Sequence, residues 1–233
     1  MSPRSPSFYA QAALVMGVAV LALGLSLPRL LAQAPLSAGL IATPEAAESA
    51  TENDIEAAVS AARWAASVQS GSRSNHEEAA NMLLLSLQAN AQDRQKVNAL
   101  LAEAQEALAT GLQQAPVAPN MWLSLARLRS LTTRPDEQAM RYLENSYLTG
   151  PRENWVSPQR LSFVLANWDS LSPAVQEAAT RELRDQTAAR LGELTLGRSP
   201  AVVELIEREI STRPEPAQRA FERARKRIDK GVL

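Results

Sequence analysis

The stretch 119–151, PNMWLSLARLRSLTTRPDEQAMRYLENSYLTGP, contains the pattern that decides the fold. Its apolar residues recur every three or four positions, which predicts two amphipathic helices, 119–131 and 135–148, joined by a short turn. Pro135 and the acids Asp136 and Glu137 stand where the second helix begins, and these residue types favour a helix amino end. Large and small residues alternate at regular places in the hairpin: Trp122, Leu125, Ala126, Ala139, Leu143, Ser146 and Pro151.

The second-helix half of this pattern recurs upstream at the same spacing, in Ala104, Leu108, Gly111 and Pro116. On these residues the chain resembles the tetratricopeptide-repeat (TPR) family over residues 76–151. It departs from the family pattern in a turn one residue longer and in Arg129, which stands where an aromatic residue is usual. The resemblance implies an α-solenoid of TPR-like helical hairpins. A generic bundle of helical hairpins is the alternative that matches the same positions.

The composition favours helices along the rest of the chain. Hydrophobic residues make up 45% and charged residues 21% of the 233 residues, while aromatic residues make up only 4%, and no stretch alternates with period two. We therefore expect an all-α protein. Ser-Pro pairs at Ser157, Ser172 and Ser199 predict capped helix starts, and Gly192 and Gly197 predict helix ends. The further predicted helices are 55–69, 76–90, 95–114, 157–169, 173–191, 199–212 and 215–230.

The amino-terminal segment is apolar enough to cross a membrane. Residues 10–27 contain no charge, and as a helix they would span about 27 Å, close to the hydrocarbon thickness of a bilayer. Phe8 and Tyr9 stand where an interfacial aromatic belt is expected. We predict a short tail at 1–7, an uncleaved transmembrane signal anchor at 8–31 and a flexible tether at 32–54. A cleaved secretory signal ending in Ala32-Gln33-Ala34 is one alternative, and a buried soluble helix is another.

The flanking charges indicate the orientation of this anchor only weakly, since Arg4 precedes it and Arg29 follows it. The short leader and the acidic segment after the span favour a single-pass protein of the bacterial inner membrane, with most of the chain in the periplasm. Ala13 and Gly17 are small residues four apart, a spacing that lets two membrane helices approach. A homodimer through that face is therefore left open.

Two helical regions follow the tether. Residues 55–151 are predicted to form the TPR-like hairpins, and residues 152–233 further helical hairpins that cap the array. In the second region, apolar stripes at helical spacing predict core residues. These predicted core residues are Trp155, Leu161, Phe163, Leu165, Trp168, Val175, Ala179, Leu183, Val203, Ile206 and Ile210.

Residues that carry chemistry are scarce. The chain has no cysteine, and His76 is its single histidine, so thiolate ligands and Cys–His catalysis are excluded. His76 precedes Glu77 and Glu78 near a predicted helix start, where we expect a solvated or capping role. No phosphate-binding glycine loop, dinucleotide fingerprint or nucleophile elbow occurs. We therefore expect no catalytic, cofactor-binding or metal-binding residues, and no enzyme activity.

The overall charge gives no reason to expect a nucleic-acid partner. Lys and Arg number 24 against 25 Asp and Glu, for a formal net charge of −1, which provides no general attraction to phosphate backbones. The basic residues from Arg219 to Lys230 are interpreted as the solvated face of a last helix, with contact to anionic lipid as the alternative.

The resemblance to the TPR family implies a protein partner, held in a groove lined by first-helix side chains. Asn120, Ser124 and Arg127 are the groove residues it implies in the most legible repeat. The predicted function is a membrane-anchored adaptor or scaffold in the cell envelope. The alternative is a structural subunit of a larger membrane complex without a peptide groove.

A looser resemblance covers residues 119–190, from the segment YLTGP at 147–151 to Trp168 and the next helix. It is similar to small membrane-anchored helical repeat proteins of proteobacteria that accompany exopolysaccharide or O-antigen synthesis. This resemblance implies a role in polysaccharide synthesis or export.

Overall fold

The computed structural model describes residues 50–131 and 134–229, and within them it contains ten α-helices, one short 3-10 turn and no strand. The all-α prediction is therefore confirmed for these residues. The helices are α1 (Glu52–Val68), α2 (Arg73–Ala89), α3 (Arg94–Gln114), α4 (Pro119–Arg129), α5 (Glu137–Thr149), α6 (Ser157–Ala166), α7 (Pro173–Arg184), α8 (Ala188–Leu194), α9 (Pro200–Ser211) and α10 (Glu215–Asp229), and the 3-10 turn is Trp168–Ser170.

Side-chain caps begin six of these helices. At α1, Thr51 accepts from the backbone N–H of Asp54, whose carboxylate accepts in return from the N–H of Thr51. The other capping side chains are Ser72, Asp93, Asp136, Ser172 and Thr187. Each satisfies backbone donors that the first helical turn leaves without a partner, which explains why the chain starts a helix at these points.

Two of the predicted Ser-Pro helix starts differ in detail from expectation. Ser172 caps α7 as predicted. Ser199 occupies the N-cap position of α9 without a capping hydrogen bond from its side chain. Ser157 is not an N-cap, because the helix already begins there and its hydroxyl accepts from the Gln186 side chain at 2.9 Å.

The predicted helix 173–191 is wrong as one element. The chain leaves α7 after Arg184, and Thr187 then caps a new helix by accepting from the N–H of Arg190. The predicted stop at Gly192 is wrong as well. Gly192 lies inside α8, where a Cβ would come within 2.8 Å of the Ala224 Cβ. Its lack of a side chain therefore serves close helix packing, whereas Gly197 has the positive φ of 63° that suits a helix end.

The chain divides into two compact units, Met1–Ala115 and Pro116–Leu233. In the described part of the first unit, α2 packs against both α1 and α3. Their contact is rich in alanine, with leucines filling the space between. Its buried residues include Ala58, Ala62, Ala80, Leu83, Leu100, Ala104 and Leu108.

In the second unit α4 packs on α5, α6 on α7, and α10 on α8 and α9. The hairpin of α4 and α5 buries Leu125, Ala126, Ala139 and Leu143. Ser146 is also buried, and its hydroxyl donates to the Pro119 carbonyl at 2.8 Å. Buried residues of this hairpin belong to a continuous hydrophobic core that extends to Phe221 in α10.

The half-buried Trp122 ties α4 to the segment before it and to α5. Its indole N–H donates to the Pro116 carbonyl at 2.8 Å, and its ring centroid lies 5.9 Å from that of Tyr142. The large aromatic side chain therefore packs between the two helices while its polar end keeps a hydrogen-bond partner.

The predicted core stripe of Val175, Ala179 and Leu183 is buried along α7. In α9 the buried stripe is Val202, Ile206 and Ile210, with Val203 only half-buried. The prediction that Trp155 belongs to the core is wrong. It is 58% exposed, and its indole N–H donates to Glu153 on the surface.

No helix within residues 50–131 and 134–229 is both long and apolar enough to cross a membrane. The predicted anchor at 8–31 lies outside these described residues.

Candidate functional site

A buried ion pair joins α6 and α7. The side chain of Arg160 is fully buried and that of Glu182 is 5% exposed, with Arg160 Nη2 2.7 Å from Glu182 Oε1. Arg160 Nη1 also donates to the carbonyls of Ser146 and Gly150 at the end of α5, at 3.0 Å each. One guanidinium therefore holds α5, α6 and α7 together.

Tyr147 completes this network from α5. Its hydroxyl donates to Glu182 Oε2 at 2.9 Å, and the Arg160 guanidinium lies 4.2 Å from its ring centroid. Burial raises the pKa of Tyr147 well above its ordinary range, and the negative charge of Glu182 raises it further. The phenol therefore stays protonated and serves as a donor, while the two opposite charges satisfy each other away from water.

Sequence reasoning missed this network, although the pattern contained a signal for it. Arg160 is adjacent to Leu161 and four residues before Val164, so it falls on the apolar face of α6. Glu182 falls between Ala179 and Leu183 on the apolar face of α7. A single charge of opposite sign on each of two buried helix faces indicates an internal pair, because an unpaired buried charge is strongly unfavourable.

A surface groove lies between α5 and α7, over this network. Its volume is about 830 Å³. Its apolar lining includes Pro151, Val175, Ala178 and Leu148, which is 78% exposed. Charged side chains of both signs surround these apolar residues: Glu144, Arg152, Arg181, Glu182, Arg184 and Asp185. An apolar strip between charged rims is suited to the apolar face of an amphipathic segment.

The predicted groove residues lie on α4, and none of them lines the α5–α7 groove. Asn120, Ser124 and Arg127 follow one another at helical spacing, so they share one side of α4. Asn120 and Ser124 are half-buried, whereas Arg127 is exposed. Arg127 lines a different cleft, together with residues of α6 and α8.

His76 has neither the solvated nor the capping role expected for it, since Ser72 caps α2. His76 is 7% exposed, and its Nε2 lies 2.9 Å from the Ser70 carbonyl in the turn between α1 and α2. Among the described residues, no three His, Asp or Glu side chains are grouped so that they could hold a metal ion.

Comparison with known proteins found no matching family model, no similar curated protein and no similar solved structure.

Proposed function

We propose that this chain is a non-enzymatic, membrane-anchored adaptor that binds a partner protein in the cell envelope through TPR-like helical hairpins. A single-pass anchor at residues 8–31 would hold it in the bacterial inner membrane with its folded part in the periplasm. The looser resemblance of residues 119–190 to membrane-anchored helical repeat proteins of polysaccharide loci would place it in polysaccharide synthesis or export.

The observation that carries the proposal is the α5–α7 groove. Leu148, with 78% of its surface exposed, lies at its edge beside the apolar Pro151, Val175 and Ala178, and a contiguous apolar surface rimmed by polar residues is typical of a binding site. The charged residues beside it would orient a segment that carries charges of its own. The occupant we infer is an amphipathic helix of the partner protein, with its apolar face on Leu148 and Ala178.

We also propose a second contact with the same partner, on the side of α4 that carries Asn120, Ser124 and Arg127. Its residues are more polar than those of the groove, so they would add selectivity rather than most of the affinity.

Site-specific photocrosslinking in living cells would test the groove. The full-length chain is made with a photoreactive phenylalanine analogue at Leu148 or, as a matched control, at Leu131, which is 60% exposed and does not line the groove. We expect one defined protein adduct from position 148 and none from position 131.

A groove variant makes the test specific. Ala174 is exposed, lines the groove and lies in the first turn of α7, where an acidic side chain is compatible with the helix. Ala174→Glu should abolish the adduct from position 148 while leaving the circular dichroism spectrum unchanged. Equal adducts from both positions would instead favour the structural subunit that contacts its complex over a broad surface. No adduct from either position would overturn the adaptor proposal.

A further inference from the structure

Three arginines from separate parts of the second unit line one cleft. Arg127 comes from the end of α4, Arg190 from α8 and Arg198 from the connection between α8 and α9. The cleft has a volume of about 450 Å³, and Gln159 and Ser162 of α6 contribute polar side chains to it. None of its lining residues is acidic.

The positive charge of the cleft is not compensated by the residues around it. Arg190 Nη1 lies 2.7 Å from Glu193 Oε2, so its charge is paired. Neither Arg127 nor Arg198 is within ion-pair distance of a carboxylate in the described part of the chain. Two positive charges are therefore left in the cleft.

Arg198 is half-buried, and the fold leaves its guanidinium with few hydrogen-bond partners. Its Nε is buried from solvent and has no hydrogen-bond partner in the described structure, while its Nη2 only approaches Ser162 Oγ at 3.4 Å. Burial lowers the pKa of Arg198. A buried donor without an acceptor is unfavourable. Because Nε is shielded from solvent, an oxyanion in the cleft would accept from it only after the Arg198 side chain shifts.

We propose that this cleft binds the phosphate group of a small phosphorylated ligand. The guanidinium fork matches phosphate oxygens in geometry, and two uncompensated positive charges match the dianion. Phe163 and Ala166 on the α6 side provide an apolar surface for the group that carries the phosphate. The cleft shares no lining residue with the α5–α7 groove, so this inference does not depend on the groove, although Arg127 also belongs to the second contact proposed on α4.

Calorimetric titration of the full-length chain in an uncharged detergent, at constant ionic strength, would test the site. The probes are inorganic phosphate and pyrophosphate. We expect saturable binding that Arg198→Gln and Arg127→Gln each weaken about tenfold or more, since each removes charge-assisted hydrogen bonds. Arg141→Gln is the matched control, because it removes an exposed arginine that does not line the cleft, and it should bind as the unsubstituted chain does.

Thermal unfolding separates loss of the site from loss of the fold. Without phosphate, Arg198→Gln should unfold at the same temperature as the unsubstituted chain or higher, since it removes a buried donor without an acceptor. Phosphate should raise the unfolding temperature of the unsubstituted chain and not that of the variant. Equal binding by all four proteins, or no binding of either probe, would overturn the proposal.

Competition between probes identifies the source of the phosphate. A short-chain phosphatidic acid that displaces pyrophosphate better than glycerol phosphate does would support the site with a lipid headgroup as its ligand. Equal displacement would support it with a soluble phosphoester. Displacement that is unchanged in Arg198→Gln would count against the site.

Discussion

Arg160 is a charged side chain with no exposed surface, and its environment explains how the protein tolerates it. Glu182 neutralises it at 2.7 Å, two backbone carbonyls of the α5 end accept from it, and the Tyr147 ring covers one face of its guanidinium. Such a group contributes little net stability when all its partners are present, but removing one partner leaves the other charge buried alone.

We expect Glu182→Gln to destabilise the second unit by about 3–5 kcal/mol, because it leaves the Arg160 charge uncompensated. Urea unfolding followed by circular dichroism measures the loss. Glu177→Gln is the matched control on the same helix: its partner Arg181 is exposed, so it should cost at most about 1 kcal/mol. Replacing both charges, Arg160→Met with Glu182→Leu, should cost less than Glu182→Gln alone. Equal losses for Glu182→Gln and Glu177→Gln would contradict this account of the pair.

Tyr147 makes the stability of the second unit depend on pH in the alkaline range. Because its pKa is raised in the folded state by burial and by Glu182, the folded protein holds the phenolic proton more tightly than the unfolded chain does. Its contribution to stability is therefore complete below the ordinary tyrosine pKa of about 10 and declines as the pH rises above it.

We expect the urea midpoint to fall between pH 9 and pH 11, and to fall less in Tyr147→Phe. The variant should be less stable than the unsubstituted chain at pH 9, since it lacks the hydrogen bond to Glu182. The difference in urea midpoint between the unsubstituted chain and Tyr147→Phe should become smaller as the pH rises. A difference in urea midpoint that stays constant across this pH range would show that folding does not raise the pKa of Tyr147.

At the scale of helices, α8 and α10 approach each other more closely than side chains usually permit. A Cβ at Gly192 would lie 2.8 Å from the Ala224 Cβ and 3.0 Å from the Phe221 carbonyl oxygen. Neither the alanine Cβ nor the backbone carbonyl can move aside by a rotamer change. The glycine is therefore required by the packing of these two helices and not by its backbone conformation.

We expect Gly192→Ala to destabilise the second unit by about 1–3 kcal/mol, the usual result of overpacking a core. This reverses the normal benefit of alanine over glycine inside a helix. Hydrogen exchange should show faster exchange in α8 and α10. Gly71→Ala is the control, because nothing lies within 4 Å of the new methyl group, and it should be neutral or slightly stabilising. A stabilised Gly192→Ala would contradict the observed packing.

At the scale of the molecule, the described helices fall into two compact units that meet in sequence at Ala115 and Pro116, and a membrane anchor is predicted at residues 8–31. The ion pair, the groove and the arginine cleft all belong to the unit Pro116–Leu233. The proposed interactions therefore need only one of the two units, whereas the proposed location depends on the anchor.

We expect the full-length chain with a carboxyl-terminal tag to remain in the membrane fraction after alkaline extraction and to keep its original amino terminus. Deleting residues 8–31 should move it to the soluble fraction. Protease added to spheroplasts should digest the tag if the folded part faces the periplasm. A released chain that starts at Pro35 would instead establish the cleaved secretory signal, and a protected tag would reverse the orientation.

Helix identity could be predicted from local sequence at many positions. The period of apolar residues placed α4, α5 and α7 near their observed starts. Ser172 was predicted as a cap because a cap is made within three residues of the chain, whereas Asp136 was predicted only as an acid at a helix amino end and is the N-cap of α5. The break between α7 and α8 was missed, although the apolar stripe of α7 stops at Leu183. The next positions at helical spacing are the polar Gln186, Thr187 and Arg190, and threonine is a common capping residue.

The amino-acid sequence by itself determined that the described chain is helical and which faces of α4, α5 and α7 are apolar, because periodicity and capping act over one or two turns. Only the tertiary structure decided that Arg160 pairs with Glu182, that Gly192 meets Ala224, and that Arg127 shares a cleft with Arg190 and Arg198. Those contacts join residues far apart in the chain. Their positions follow from how whole helices pack, and no local pattern records that packing.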